Sequence, residues 1–426
     1  MMRRFKMKAF DKIIGYESVK EELRQICDIV KNREIYKRMG ASMPKGILIN
    51  GEPGVGKSLM AHCLIEECGV ASFVLRRTKG DGDFIREIER TFDEAMKRAP
   101  SIILLDDLDK FAREDDSKEE YSVVQGCIDK VRGADVFIIA TSNTVRNMPR
   151  SLLRSGRFDR RIDVDAPTLD EARKIVEFYL LGKPLVDNVN IDDVCKMLAG
   201  SSCAKLESII NDAAVYAAFE RSEKIEMRHI VKATLRKSYT DSTASSMSDE
   251  ELLEIAYHEA GHAIISELVM EGGIGMLSIN TQTGRGMGGF MHKCKQYKRR
   301  AHNILMLLGG KAGCELKYGR VASGAFSDLE RASSEIEEAI TSSATMGSAG
   351  FVLDSGVGVS EALKDRIAIL VHGKLEEYLF KAKEMICANM ALFEALAKEL
   401  FEKKTLLASD ISRIMASHTI VRVQIA

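Results

Sequence analysis

The chain has 426 residues, 45% hydrophobic and 29% charged, with a net charge of −1. That length suits two or three domains with real cores, and a charge so near zero supplies no global field for nucleic acid or an anionic membrane surface. No apolar run approaches the ~20 residues a membrane span needs, and the basic start MMRRFKMK has no apolar stretch behind it to make a secretory signal.

The nine cysteines include no C-x-x-C pair, and Cys63/Cys68 and Cys195/Cys203 are too loosely spaced for a zinc knuckle or redox pair. Reduced thiols in a cytoplasmic protein are the expectation. All six prolines fall at or before Pro184, so the two parts of the chain should differ in architecture. In the first part, GILIN (46–50), ASFVL (71–75), SIILLDD (101–107), VFIIATS (136–142) and RIDVD (161–165) read as strands. Amphipathic stretches separate them, among them SLMAHCLIEEC (58–68) and REIERTFDEAMKR (86–98). Apolar strands alternating with helices predict a parallel sheet covered on both faces.

GEPGVGKS (51–58) lies between a strand and a helix, the context a P-loop requires. Gly51, Gly54 and Gly56 let backbone N–H groups turn in around phosphate. Lys57 is expected at the β/γ-phosphates and the Ser58 hydroxyl on Mg²⁺; the helix N-terminus adds its dipole. We take Gly51, Pro53, Gly54, Val55, Gly56, Lys57, Ser58 and Leu59 as ATP-binding residues. SIILLDDLDK has the form of a Walker B strand. Asp106 would hold Mg²⁺, and Asp107 stands where a glutamate usually polarises the attacking water. VFIIATSN ends at Asn143, a polar tip beside the expected γ-phosphate. In PRSLLRSGRFDRR (149–161), Arg154 and Arg157 are candidate arginine fingers.

Residues 169–237 read as helical throughout, and SYTDSTASSMSDEE (238–251) as a polar linker. Ser248 and Glu251 form a capping box that opens the next helix. That helix carries YHEAGHAI (257–264). His258 and His262 are four apart, on one face of a helix. Glu259 is rotated away by roughly 100°, where it could hold a water. This is the H-E-x-x-H arrangement of zinc peptidases, two ligands and a general base. MLSINTQTGRGMGGFMH (276–292) follows as a Gly-rich hairpin with an exposed strand, and the remainder is mostly helical. His292 and His302 lack ligand spacing. Asp328 has two readings open from the residues alone: a third ligand, or an acid in an S-x-x-E helix start formed by Ser327 and Glu330.

The order of GEPGVGKS, IILLDDLDK, ATSN, LLRSGRFDRR, HEAGH and SGAFSDLERA resembles the FtsH family of AAA+ zinc proteases from about residue 8 to 410. The resemblance implies ATP, Mg²⁺ and Zn²⁺ as cofactors, Asp328 as the third zinc ligand, and Asn143 as the γ-phosphate sensor. It also implies a homo-hexameric ring in which Arg154 and Arg157 contact a neighbour's ATP, with proteins or peptides as substrates. The expected fold is an α/β P-loop domain with a parallel sheet (1–167), a helical lid (168–240), a linker (241–250) and a mainly α zinc-metallopeptidase domain (251–426). The expected function is an ATP-dependent zinc endopeptidase. The alternative is a ring chaperone or binding module whose peptidase is secondary or silent.

Three departures from the family bear on this. Family members usually carry N-terminal membrane helices, whereas this chain opens almost directly on the P-loop domain; it is expected to be soluble, with tethering by a membrane partner left open. Asp107 is one methylene shorter than the usual glutamate, which sets its carboxylate back by roughly 1.5 Å and predicts intact ATP binding with slow hydrolysis. The pore-loop region RRTKGDGDFIRE (76–87) has no aromatic-Val-Gly triplet, leaving Lys79 or Phe84 at the aromatic's place.

Overall fold

In a computed structural model of the chain, the described residues are 8–41, 44–77, 81–111, 118–145, 148–154, 156–238, 248–279, 289–297, 299–320, 325–341 and 361–423. Two compact units divide the chain: Met1–Lys183 with Gly200–Asn211, and Pro184–Ala199 with Asp212–Ala426.

The first unit is an α/β domain. Its elements are α1 (Glu17–Lys31), α2 (Arg33–Arg38), β1 (Gly46–Gly51), α3 (Lys57–Cys68), β2 (Ala71–Arg76), α4 (Asp81–Lys97), β3 (Ser101–Asp106), α5 (Lys118–Lys130), β4 (Val136–Ser142), β5 (Arg160–Val164) and α6 (Leu169–Leu180). The strands form one parallel sheet in the order β2-β3-β4-β1-β5. β3 and β4 are buried along their whole length, as near-continuous Ile, Leu, Val and Phe runs require when helices cover both faces. Because all strands run the same way, the ends of β1, β3 and β4 place the P-loop, Asp106 and Ser142–Asn143 at one edge. Phe84, one of the two candidates for the pore aromatic's place, is fully buried and meets the Phe111 ring edge-on at 5.1 Å. Its spacing to Ile88 and Phe92 makes it part of the buried stripe of α4. Lys79 lies outside the described residues.

The second unit contains α7 (Ile191–Met197), the C-terminal part of α8 (Cys203–Phe219) from Asp212 on, α9 (Met227–Ser238), α10 (Asp249–Val269), β6 (Ile274–Ser278), β7 (Phe290–Lys293), α11 (Arg300–Tyr318), α12 (Ala325–Thr341), α13 (Glu361–Ala388), α14 (Met390–Lys403), β8 (Thr405–Leu407) and α15 (Ala408–Ala416). α7 packs on β6, where a side chain at Gly275 would lie 2.1 Å from the Lys196 carbonyl oxygen. Asp193 on α7 accepts hydrogen bonds from the backbone and hydroxyl of Ser409 at 2.9 and 2.5 Å. The stretch anticipated as a lid (168–240) is thus divided, with α6 in the first unit and α7 and α9 in the second.

α10 begins with the anticipated capping box: the Glu251 N–H donates to Ser248 Oγ at 3.2 Å and the Ser248 N–H to Glu251 Oε2 at 2.8 Å. The helix therefore starts inside the segment read as linker. From Ala256 to Glu267 it is buried on every side, packed against α11 and α14. α10 and α11 approach backbone to backbone, and a side chain at Gly261 would sit 2.2 Å from the Gly309 oxygen. β6 pairs antiparallel with β7 and β8, and β7 is an edge strand. The Gly-rich turn of that hairpin, 280–288, lies outside the described residues. Among the described residues, no helix is long and apolar enough to cross a membrane.

Candidate functional site

In the first unit, β1 delivers the chain into the P-loop and α3 leaves it. Gly54 and Gly56 adopt φ of +85° and +99°, a conformation that glycine adopts without steric cost. Lys57 is buried at the start of α3. Its ammonium donates to the carbonyls of Gly51 and Glu52 at 2.8 Å each and to Asn143 Oδ1 at 2.9 Å. Burial lowers its pKa, opposed by Asp107, Asp109 and Asp106. Ser58 Oγ donates to Asp106 Oδ1 at 2.8 Å, and Thr141 Oγ1 donates to the same oxygen. Val55 is fully buried, whereas Pro53 and Leu59 face outward.

Asp107 turns off the strand in the left-handed conformation, φ 56°. Its N–H donates to Thr141 Oγ1 at 2.8 Å, and its carboxylate meets Lys110 at 2.7 Å and Arg76 at 3.5 Å. Asn143 is anchored by Asp109, which accepts its backbone N–H at 3.1 Å. Arg154 is exposed. Arg157 forks onto Asp129 at 2.8 and 3.1 Å and donates to the Ser151 carbonyl. The structure thus gathers Lys57, Ser58, Asp106 and Asn143, and adds Thr141, Asp109, Arg76 and Lys110. Of these additions, Asp109 and Lys110 end the stretch IILLDDLDK and Thr141 lies in ATSN, but none of the three was given a role there.

In the second unit, α10 presents His258 and His262, and the first turn of α12 presents Asp328. His262 Nε2 lies 3.0 Å from His258 Nε2, and Asp328 Oδ2 lies 3.3 and 3.2 Å from the two nitrogens. Donors about 2.05 Å from a tetrahedral zinc would be about 3.3 Å apart, so this triangle fits the ion. Among the described residues it is the one cluster of its kind. Ser327 is the third residue of α12 rather than its cap, because the helix already runs from Ala325; Asp328 remains a first-turn acid as well as a member of the cluster.

Burial alone would raise the Asp328 carboxyl, but the two imidazoles hold it well below the usual carboxylate range. Burial raises Glu259, with His262 and His258 opposing. The Gly289 N–H, just before β7, donates to the Glu259 carboxylate. A side chain at Gly289 would lie 2.0 Å from Glu259 Cγ. His262 Nδ1 lies 2.7 Å from the Met306 carbonyl oxygen on α11, which fixes the ring so that Nε2 faces the cluster. A side chain at Gly310 would lie 2.4–2.6 Å from both imidazoles. Sequence reading gave Gly289, Met306 and Gly310 no role at this cluster; the Gly-rich run before β7 and the Gly309–Gly310 pair inside a helical pattern were the signals available. His292 instead bonds the Ala199 carbonyl at 3.1 Å.

Residues 47–166 match the ATPase family associated with various cellular activities (AAA), and residues 245–414 match peptidase family M41. The ATP-dependent zinc metalloprotease FtsH of Helicobacter pylori is 28% identical over 96% of this chain and 71% of that protein. Similar matches are the FtsH proteins of Alkalihalophilus pseudofirmus (29%; 97% and 67%) and Thermotoga maritima (30%; 88% and 62%). Over most of its length the chain is similar to these FtsH proteins. Its AAA part carries the P-loop, Asp106 and Asn143, and its M41 part carries the histidine–aspartate triangle and Glu259. The FtsH proteins matched are longer than this chain.

Proposed function

We propose that this chain is an ATP-dependent zinc endopeptidase that degrades proteins. The observation that carries the reading is the triangle of His258, His262 and Asp328 donors at zinc-ligand spacing, with a buried carboxylate one residue along the same helix. His258, His262 and Asp328 would hold the ion. When bound, zinc supplies a Lewis acid for the scissile carbonyl and an acidified water. Glu259 takes the proton of the attacking water and passes it to the leaving amine; its burial makes it more basic than an exposed glutamate. The edge of β7, whose entry Gly289 bonds Glu259, is suited to pairing with an extended peptide.

In the first unit, the backbone of Gly51–Gly56 and Lys57 would hold the ATP phosphates. Ser58 and Asp106, already paired, would hold Mg²⁺, and Asn143 would face the γ-phosphate. Lys57 would then exchange its carbonyl partners for phosphate oxygens. Asp107 would polarise the attacking water, at reduced efficiency for its length. The chain would work as a homo-hexamer, with exposed Arg154 and with Arg157 reaching a neighbour's nucleotide. In domain terms this makes 1–167 the ATPase, 168–240 its lid, 241–250 a linker and 251–426 the peptidase, acting in the cytoplasm.

Casein hydrolysis with and without ATP tests the reading. Cleavage that requires ATP and is abolished by zinc chelation supports it. Nucleotide-independent cleavage leaves a peptidase without coupling. ATP turnover with no cleavage favours the chaperone alternative, to which the engagement of Asp107 by Lys110 and Arg76 lends some support.

A further inference from the structure

α10 and α11 meet along two stripes of matching period. On α10 the stripe is Glu254, His258 and His262, and on α11 it is Met306, Gly310 and Cys314, each four residues apart. The Met306 carbonyl receives His262 Nδ1. Gly310 leaves the space that both rings occupy. The last member of the stripe, Cys314, is fully buried, and its sulfur lies 4.0 Å from His258 Nδ1 and 4.0 Å from the Glu254 carbonyl oxygen.

We propose that Cys314 is the positioning residue for His258, the outer partner that orients this ligand toward zinc. The inference rests on the zinc reading above. A metal-ligating histidine donates its second N–H to an acceptor, which fixes the tautomer and the ring angle. With His258 Nε2 turned to the cluster, its Nδ1 carries the proton and faces the thiol. A neutral thiol has one weak donor and a weak acceptor. The S–H donates to the Glu254 carbonyl, which leaves a sulfur lone pair for the His258 N–H. Both members of the chain are satisfied, and neither needs a charge in this buried place. The two ligands are therefore held unequally: His262 by a short bond to a backbone carbonyl, His258 by a long contact to a polarisable sulfur. His258 is the ligand whose hold is tunable by one side chain.

The test measures zinc affinity of the full chain, by competition with a chromophoric chelator, in wild type and in Cys314→Ala, Cys314→Val and Cys314→Ser. Valine keeps the volume without an acceptor, and serine keeps a donor and an acceptor. Loss of an outer partner costs 10–100-fold in metal affinity; for a weak acceptor the expectation is about 10-fold weaker binding in the alanine and valine variants. Serine should recover most of the loss, and the visible band of cobalt(II)-loaded protein should shift in alanine and valine but not in serine. Zinc-free melting curves check the fold, and the valine variant carries the test if the alanine cavity unfolds the unit. Wild-type affinity in alanine and valine overturns the proposal. Equal weakening in all three variants also overturns it, because packing alone would then explain the effect. A wild type that takes up no zinc removes the zinc reading itself, and this inference with it.

Discussion

Gly310→Ala places one methyl group in the space that His258 and His262 share. The added carbon would lie 2.4 Å from His258 Cε1, 2.5 Å from His262 Nε2 and 2.6 Å from His258 Nε2. Ordinary contact distances are about 3.5 Å, so the rings must retreat by about 1 Å. Metal–ligand distances tolerate only about 0.2 Å. Rotation cannot relieve the clash cheaply, since His262 is tied to Met306 and both rings are buried. Loss of an outer partner alone costs up to about 100-fold, so displacing the ligands themselves should cost at least about 100-fold in zinc affinity, or about 2.8 kcal/mol. Gly313→Ala, one turn on, is the control. Its methyl would come no closer than 3.0 Å to the Phe393 ring, and both changes gain about 1 kcal/mol of helix propensity. Chelator competition reads zinc affinity, and circular dichroism reads the fold. A folded Gly310→Ala variant that binds zinc as tightly as Gly313→Ala would refute the geometry.

Other positions separate the parts of the machinery. Gly289→Ala pushes on Glu259 at 2.0 Å rather than on the ligands; zinc content should stay at one per chain while peptide cleavage drops on the order of 100-fold, and a loss of zinc would contradict this. Asp107→Glu should raise ATP turnover on the order of 100-fold with little change in KM; an unchanged kcat would show that the shorter acid is no handicap. Lys57→Met removes the ammonium bound to Gly51, Glu52 and Asn143 and should abolish nucleotide binding in a fluorescent-ATP titration while casein-site zinc remains. Asp193→Ala breaks two hydrogen bonds to Ser409 and should destabilise the second unit by about 1–3 kcal/mol, read as earlier proteolysis of that unit.

The parallel sheet was legible because its strands are uniform apolar runs ending in functional polar residues; the five strands lie within a residue of where the sequence places them. The triangle's histidines were legible because four-residue spacing on a helix fixes their common face. Asp328 was legible only through the family resemblance, because its approach depends on how α12 meets α10, which no local pattern encodes. The glycine of H-E-A-G-H is explained only by the structure: Gly261 lets the Gly309 backbone come close, so α11 can bring Met306, Gly310 and Cys314 against the ligands. Phe84 misled because an isolated aromatic near a loop looks exposed, whereas its four-residue spacing to Ile88 and Phe92 belongs to a buried helix face.

The central claim, a zinc peptidase driven by its own ATPase, is tested most directly by degradation of an unfolded fluorescent protein. Wild type and Glu259→Gln would each be assayed with ATP, with a non-hydrolysable analogue and without nucleotide. Loss of fluorescence only in wild type with ATP is the predicted result. Degradation by Glu259→Gln at the wild-type rate, or by wild type equally in all three conditions, would contradict it.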